Sequence, residues 1–84
     1  MKMMVSLTRK NGVTVRLDAA FDVEKETARY SVTVCGAKAL YTKLEFGNFK
    51  SAAKVYKMLA DAVENGVVND EIELFGKLYG KAVA

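Results

Sequence analysis

Hydrophobic and polar residues alternate with a period of two through the first half of the chain, and the period lengthens to helical spacing in the second. Met3, Val5 and Leu7 alternate with Lys2, Met4, Ser6 and Thr8. Val13, Val15, Leu17, Ala19 and Phe21 alternate with Thr14, Arg16, Asp18, Ala20 and Asp22. Such alternation puts one set of side chains on each face of a strand. Strands are expected at about residues 2–9 and 13–22. Between them Asn11-Gly12 suits a tight hairpin, because both residues tolerate positive φ. A third run points Ala28, Tyr30, Val32 and Val34 one way and Arg29, Ser31, Thr33 and Cys35 the other, after a short polar connection at 23–27. Gly36-Ala37-Lys38 then turns the chain into a fourth run, where Leu40, Thr42, Leu44 and Phe46 oppose Ala39, Tyr41, Lys43 and Glu45.

The period changes at Gly47-Asn48. Asn48 is a good N-cap, and Phe49, Ala52, Ala53, Tyr56, Leu59, Ala60 and Val63 form one helical stripe flanked by Val55, Met58 and Ala62. Asn65-Gly66 ends this helix, with Gly66 as the left-handed residue beyond its last turn. Asn69 or Asp70 can cap a second helix over about 70–80, and Asp70 with Glu73 has the spacing of a capping box. Its stripe is Ile72, Phe75, Leu78, Tyr79 and Val83. Gly76 and Gly80 each cost roughly 1 kcal/mol inside a helix, and Glu71-Ile72-Glu73-Leu74 also reads as a strand. The fold class is α+β: a four-stranded antiparallel meander followed by two helices (ββββαα) packed on one sheet face, in a single domain spanning 1–84. The other sheet face is left for solvent or a partner.

Charge adds a pattern that the net value of +3 hides. Lys2, Arg9, Lys10 and Arg16 stand in residues 1–17 without an acid. Lys38, Lys43, Lys50, Lys54 and Lys57 face a single Glu45 between 38 and 57. Asp61, Glu64, Asp70, Glu71 and Glu73 follow with no base among them. On the first helix, Lys50, Lys54 and Lys57 form a stripe at its start, and Asp61 and Glu64 continue it toward the end. That order opposes the helix macrodipole at both ends, whereas the second helix obeys it.

Candidate chemistry is sparse. The chain has no histidine, which removes the commonest general base and metal ligand, and one cysteine, which excludes an internal disulfide. It has no nucleophile–base pair and is too small for a deep enclosed pocket, so a non-enzymatic protein is expected. No cofactor motif is present: the glycines at 36, 47 and 66 stand singly, unlike a phosphate-binding loop. Asp22, Glu24 and Glu26 read as a solvated hairpin tip, Cys35 as an inert thiol near Lys38, and the Gly76–Gly80 spacing as close packing on the first helix or fraying. Tyr56 and Tyr79 read as packing residues with hydroxyls at the rim. There is no apolar run of membrane-spanning length. The N-terminal residues lack signal-peptide character, so a cytoplasmic protein with no membrane contact is expected.

The open sheet face is expected to carry Lys2, Ser6, Thr8, Thr14, Arg16, Asp18, Arg29, Ser31, Thr33, Tyr41, Lys43 and Glu45. Partner-binding candidates are Arg16, Tyr41 and Lys43 from the sheet and Lys50, Lys54, Lys57, Asp61 and Glu64 from the first helix. Opposite charged poles on a small scaffold suit a protein-binding module, an inhibitor or adaptor docking on a larger charged, nucleic-acid-handling complex. The alternative is a nucleic-acid-binding domain using the basic sheet face and the lysine stripe. A homodimer through the edge strand Met1-Lys2-Met3-Met4-Val5 is a further possibility. In shape alone, the order of elements is similar to many small proteins of phages and mobile elements, including some inhibitors of host defence nucleases, and to sheet-reading domains of certain recombinases. No motif carries that likeness, so it transfers no site residue.

Overall fold

A computed structural model describes residues 2–36 and 41–83, with side chains described as far as Tyr79. Four strands, β1 (Lys2–Lys10), β2 (Val13–Asp22), β3 (Thr27–Cys35) and β4 (Tyr41–Phe46), precede two helices, α1 (Phe49–Glu64) and α2 (Asn69–Val83). The strands form one antiparallel sheet in the order β1-β2-β3-β4, as the period-two runs require. At the first hairpin Asn11 and Gly12 take φ of 53° and 81°, both positive as a two-residue primed turn demands. At the second, Asp22 Oδ1 accepts the main-chain N–H groups of Glu24 (3.0 Å) and Lys25 (3.3 Å). Asp22 therefore shapes the tip rather than belonging to a carboxylate cluster. Of the turn expected at Gly36-Ala37-Lys38, Ala37 and Lys38 lie outside the described residues, and so does Leu40.

Both helices lie against the same sheet face, α1 mainly over β2 and β3, and α2 beside it over β4. Val15, Leu17, Val32, Val34 and Phe46 from the sheet meet Ala52, Val55, Leu59, Val63 and Ile72 from the helices in one buried core. Asn48 caps α1 as expected, its Oδ1 accepting the Ser51 N–H at 2.8 Å. The helix ends in a Schellman motif: the Gly66 N–H donates to the Val63 carbonyl and the Val67 N–H to the Ala62 carbonyl, with Gly66 at φ +77°.

Three local expectations are corrected. The first concerns β1. Lys10 pairs with Val13, Thr8 with Val15 and Leu7 with Arg16, and a bulge at Val5 lets Met4 pair with Asp18. Cross-strand partners share a face. Ser6 and Thr8 therefore point toward the helices and Leu7 points out, against the alternation, while Met4 and Lys2 beyond the bulge keep the outward side. The second concerns the start of α2. Asn69 and Asp70 lie inside its first turn, and Ile72 N–H donates to the Val68 carbonyl, so neither is the cap. The third concerns the inner stripe of α2. Ile72 and Gly76 are buried, while Phe75, Leu78 and Tyr79 are exposed. Gly76 brings α2 close to β4, not to α1: a Cβ there would sit 3.6 Å from Leu44 Cδ1 and 3.7 Å from Thr42 Cγ2.

Candidate docking site

Antiparallel pairing sorts the outward side chains of the sheet into rows. One row runs Leu7, Arg16, Thr33, Lys43; the next, toward the β1–β2 turn, runs Arg9, Thr14, Cys35, Tyr41; and the row on the other side runs Met4, Asp18, Ser31, Glu45. Among the described residues no helix covers this face. Arg16, Lys43 and Tyr41 are thus neighbours here, as expected. A shallow groove of about 400 Å³ runs along Arg16 and Tyr41, lined also by Leu7, Asp18, Thr33 and Cys35, with Lys43 outside it.

Its lining includes an unusual carboxylate. The Asp18 side chain is only 5 % exposed although it sits on the uncovered face, and Arg16 Nε donates to its Oδ1 at 2.9 Å. A nearly desolvated carboxylate needs such a partner. Arg16 itself stays half exposed. Glu45 lies 3.7 Å from Arg29 and 3.8 Å from Lys43, all three side chains being in solvent, so these pairs contribute little to stability. Apolar surface frames the charges: Leu7 is 50 % exposed, Met4 52 % and Tyr41 63 %.

Lys50, Lys54, Lys57, Asp61 and Glu64 are all exposed on α1, and none makes an ion pair among the described residues. Because α1 packs on the covered sheet face, this stripe looks away from Arg16, Tyr41 and Lys43. The eight candidates therefore form two surfaces on opposite sides of the molecule, not one.

One residue of the open face runs against the sequence expectation, Leu7, which the alternation sets with Met3 and Val5 on the inner side. A signal for Leu7 exists in the chain. A two-residue turn at Asn11-Gly12 pairs 10 with 13, hence 7 with 16, and Arg16 belongs to the outward set. The bulge, beyond which Met4 and Lys2 face outward as the alternation has them, has no comparable signature.

Cys35 is a free, exposed thiol in the row with Tyr41; Lys38 lies outside the described residues. Tyr56 packs at the edge of the core, and its hydroxyl lies 2.7 Å from Thr8 Oγ1. Among the described residues no three His, Cys, Asp or Glu side chains converge as metal ligands, and no helix is long and apolar enough to cross a membrane. Comparison with known proteins gives no match: no family model, no curated protein and no solved structure matches this chain.

Proposed function

We propose that this protein is a non-enzymatic protein-binding module, an inhibitor or adaptor, that docks on a larger protein through the open face of its sheet. The observation that supports this reading is the composition of that face. Exposed Leu7, Met4 and Tyr41 surround Arg16 and Lys43, and Tyr, Met and Arg are the side chains enriched at the centres of protein interfaces. Exposed apolar side chains flanking a polar groove mark a binding surface. The same face is poorly suited to a phosphate backbone, which needs free cations along its track. Here Arg16 is engaged by Asp18, and Lys43 and Arg29 lie beside Glu45.

The test is capture from a cell lysate by the immobilised chain, with Leu7→Glu, Tyr41→Ala and Lys54→Glu variants run in parallel. The same co-eluting protein is expected with wild type and Lys54→Glu, and its loss with Leu7→Glu and Tyr41→Ala. A gel shift of duplex or single-stranded oligonucleotides at micromolar protein and about 50 mM salt, a regime of weak screening, would overturn the reading. So would capture that depends on Lys54 alone.

A further inference from the structure

The outer surface of the helix layer carries a different feature. Leu74 and Leu78 lie on the side of α2 opposite Ile72 and Gly76, one turn apart, and are 57 % and 56 % exposed. They form an apolar ridge with nothing packed on it among the described residues. Beside α2 runs α1, whose exposed stripe has Lys50 and Lys54 in its first half and Asp61 and Glu64 in its second, all without ion-pair partners among the described residues.

A stripe that is basic at one end and acidic at the other is complementary to itself turned end for end. A two-fold axis crossing α1 near Lys57 sets Lys50 against Glu64 of a second copy and Lys54 against Asp61. With each helix antiparallel to its own copy, Leu74 meets Leu78 of the second copy and Leu78 meets Leu74, so every favourable contact occurs twice. Lys57 alone is mismatched, since it lies near the axis and faces itself. The edge strand β1 offers no such match: Lys2, Arg9 and Lys10 are its only charges, and its ladder is interrupted at Val5.

We propose that the helix layer is the interface of a two-fold homodimer, in which the α2 ridge supplies the apolar centre and the α1 stripe sets the register. The open sheet face stays free on both copies, so this inference stands or falls separately from the docking function.

Sedimentation velocity of the full chain, from about 5 to 500 µM at about 50 mM salt where exposed charges are weakly screened, tests it. A concentration-dependent monomer–dimer equilibrium is expected. Leu74→Glu and Leu78→Glu should each raise the dissociation constant at least about tenfold, as for side chains at an interface centre. Lys54→Glu and Asp61→Lys should each weaken the dimer, and the two together should restore it to within about threefold, the mark of a coupled pair. Lys57→Gln should tighten it. All these positions are exposed, and far-UV circular dichroism verifies folding; should a leucine variant unfold, the Lys54–Asp61 exchange and Lys57→Gln still decide the matter. A monomer at every concentration would overturn the proposal. So would a dimer indifferent to Leu74 and Leu78, or a charge exchange that fails to rescue.

Discussion

Lys10 at the end of β1 donates from Nζ to the main-chain carbonyl of Glu64 at 2.8 Å, in the last turn of α1. The last turn of α1 holds no basic residue of its own. The cation that the helix C-terminus favours therefore comes from a strand, and the charge order of α1, adverse when the helix is read alone, is partly offset by the fold. Lys10→Met should lower stability by up to about 1 kcal/mol at low ionic strength, with Lys10→Arg retaining most of it. Urea denaturation at two salt concentrations checks this, and the difference should shrink at about 1 M salt.

A second polar contact joins the same two elements. Thr8 Oγ1 and the Tyr56 hydroxyl lie 2.7 Å apart, partly buried. In a double-mutant cycle, Thr8→Val and Tyr56→Phe should show a coupling of about 0.5–1.5 kcal/mol, the usual net worth of one hydrogen bond. Simple additivity in denaturation would mean that the pair contributes nothing.

Gly76 and Thr42 face each other between α2 and β4. An alanine Cβ at 76 would make ordinary contacts with Leu44 and Thr42, so Gly76→Ala should stabilise the fold by about 1 kcal/mol through helix propensity. Thr42 Oγ1 is buried without a hydrogen-bond partner among the described residues. Thr42→Val removes that group at nearly constant shape and should add roughly 1 kcal/mol. Because the sites touch, the double variant should depart from the sum of the singles. The readout is the midpoint of urea unfolding.

Arg16 holds the only hydrogen bond found for the buried Asp18 side chain among the described residues. Arg16→Met should cost about 1–3 kcal/mol by leaving that carboxylate unpartnered. Adding Asp18→Asn should recover part of the loss, since a buried amide is less costly than a buried charge. Equilibrium unfolding of the two variants decides it: a second change that costs further stability would assign the loss to packing of the Arg16 stem instead.

The element order, the Asn11-Gly12 turn, the Asn48 cap and the Gly66 stop were legible because each depends on local backbone chemistry carried by a few adjacent residues. The inner sets of β2 and β3 were legible because a half-covered sheet enforces strict alternation. Where several inward choices were open, the periodicity was ambiguous. On α2, both Ile72-Phe75-Tyr79 and Ile72-Gly76 follow helical spacing; the close approach to β4 selects the glycine, and that is a property of the packed helices rather than of either segment. Arg16, Tyr41 and Lys43 were grouped correctly because strand parity sufficed. The α1 stripe was read correctly as one face, but its side of the molecule follows from which sheet face the core occupies.

The bulge at Val5 has a consequence for how the chain can change length. Val5 stands between Met4, paired with Asp18, and Ser6, paired with Leu17, which are adjacent positions on β2. β1 is therefore one residue longer than its ladder uses. Elsewhere in the sheet, losing or gaining a single residue would exchange the covered and open faces of everything beyond it. Removing Val5 would instead join Met4 to Ser6 with both facing as they do now. Among the strands, β1 is where a one-residue deletion leaves both surfaces of the sheet in place.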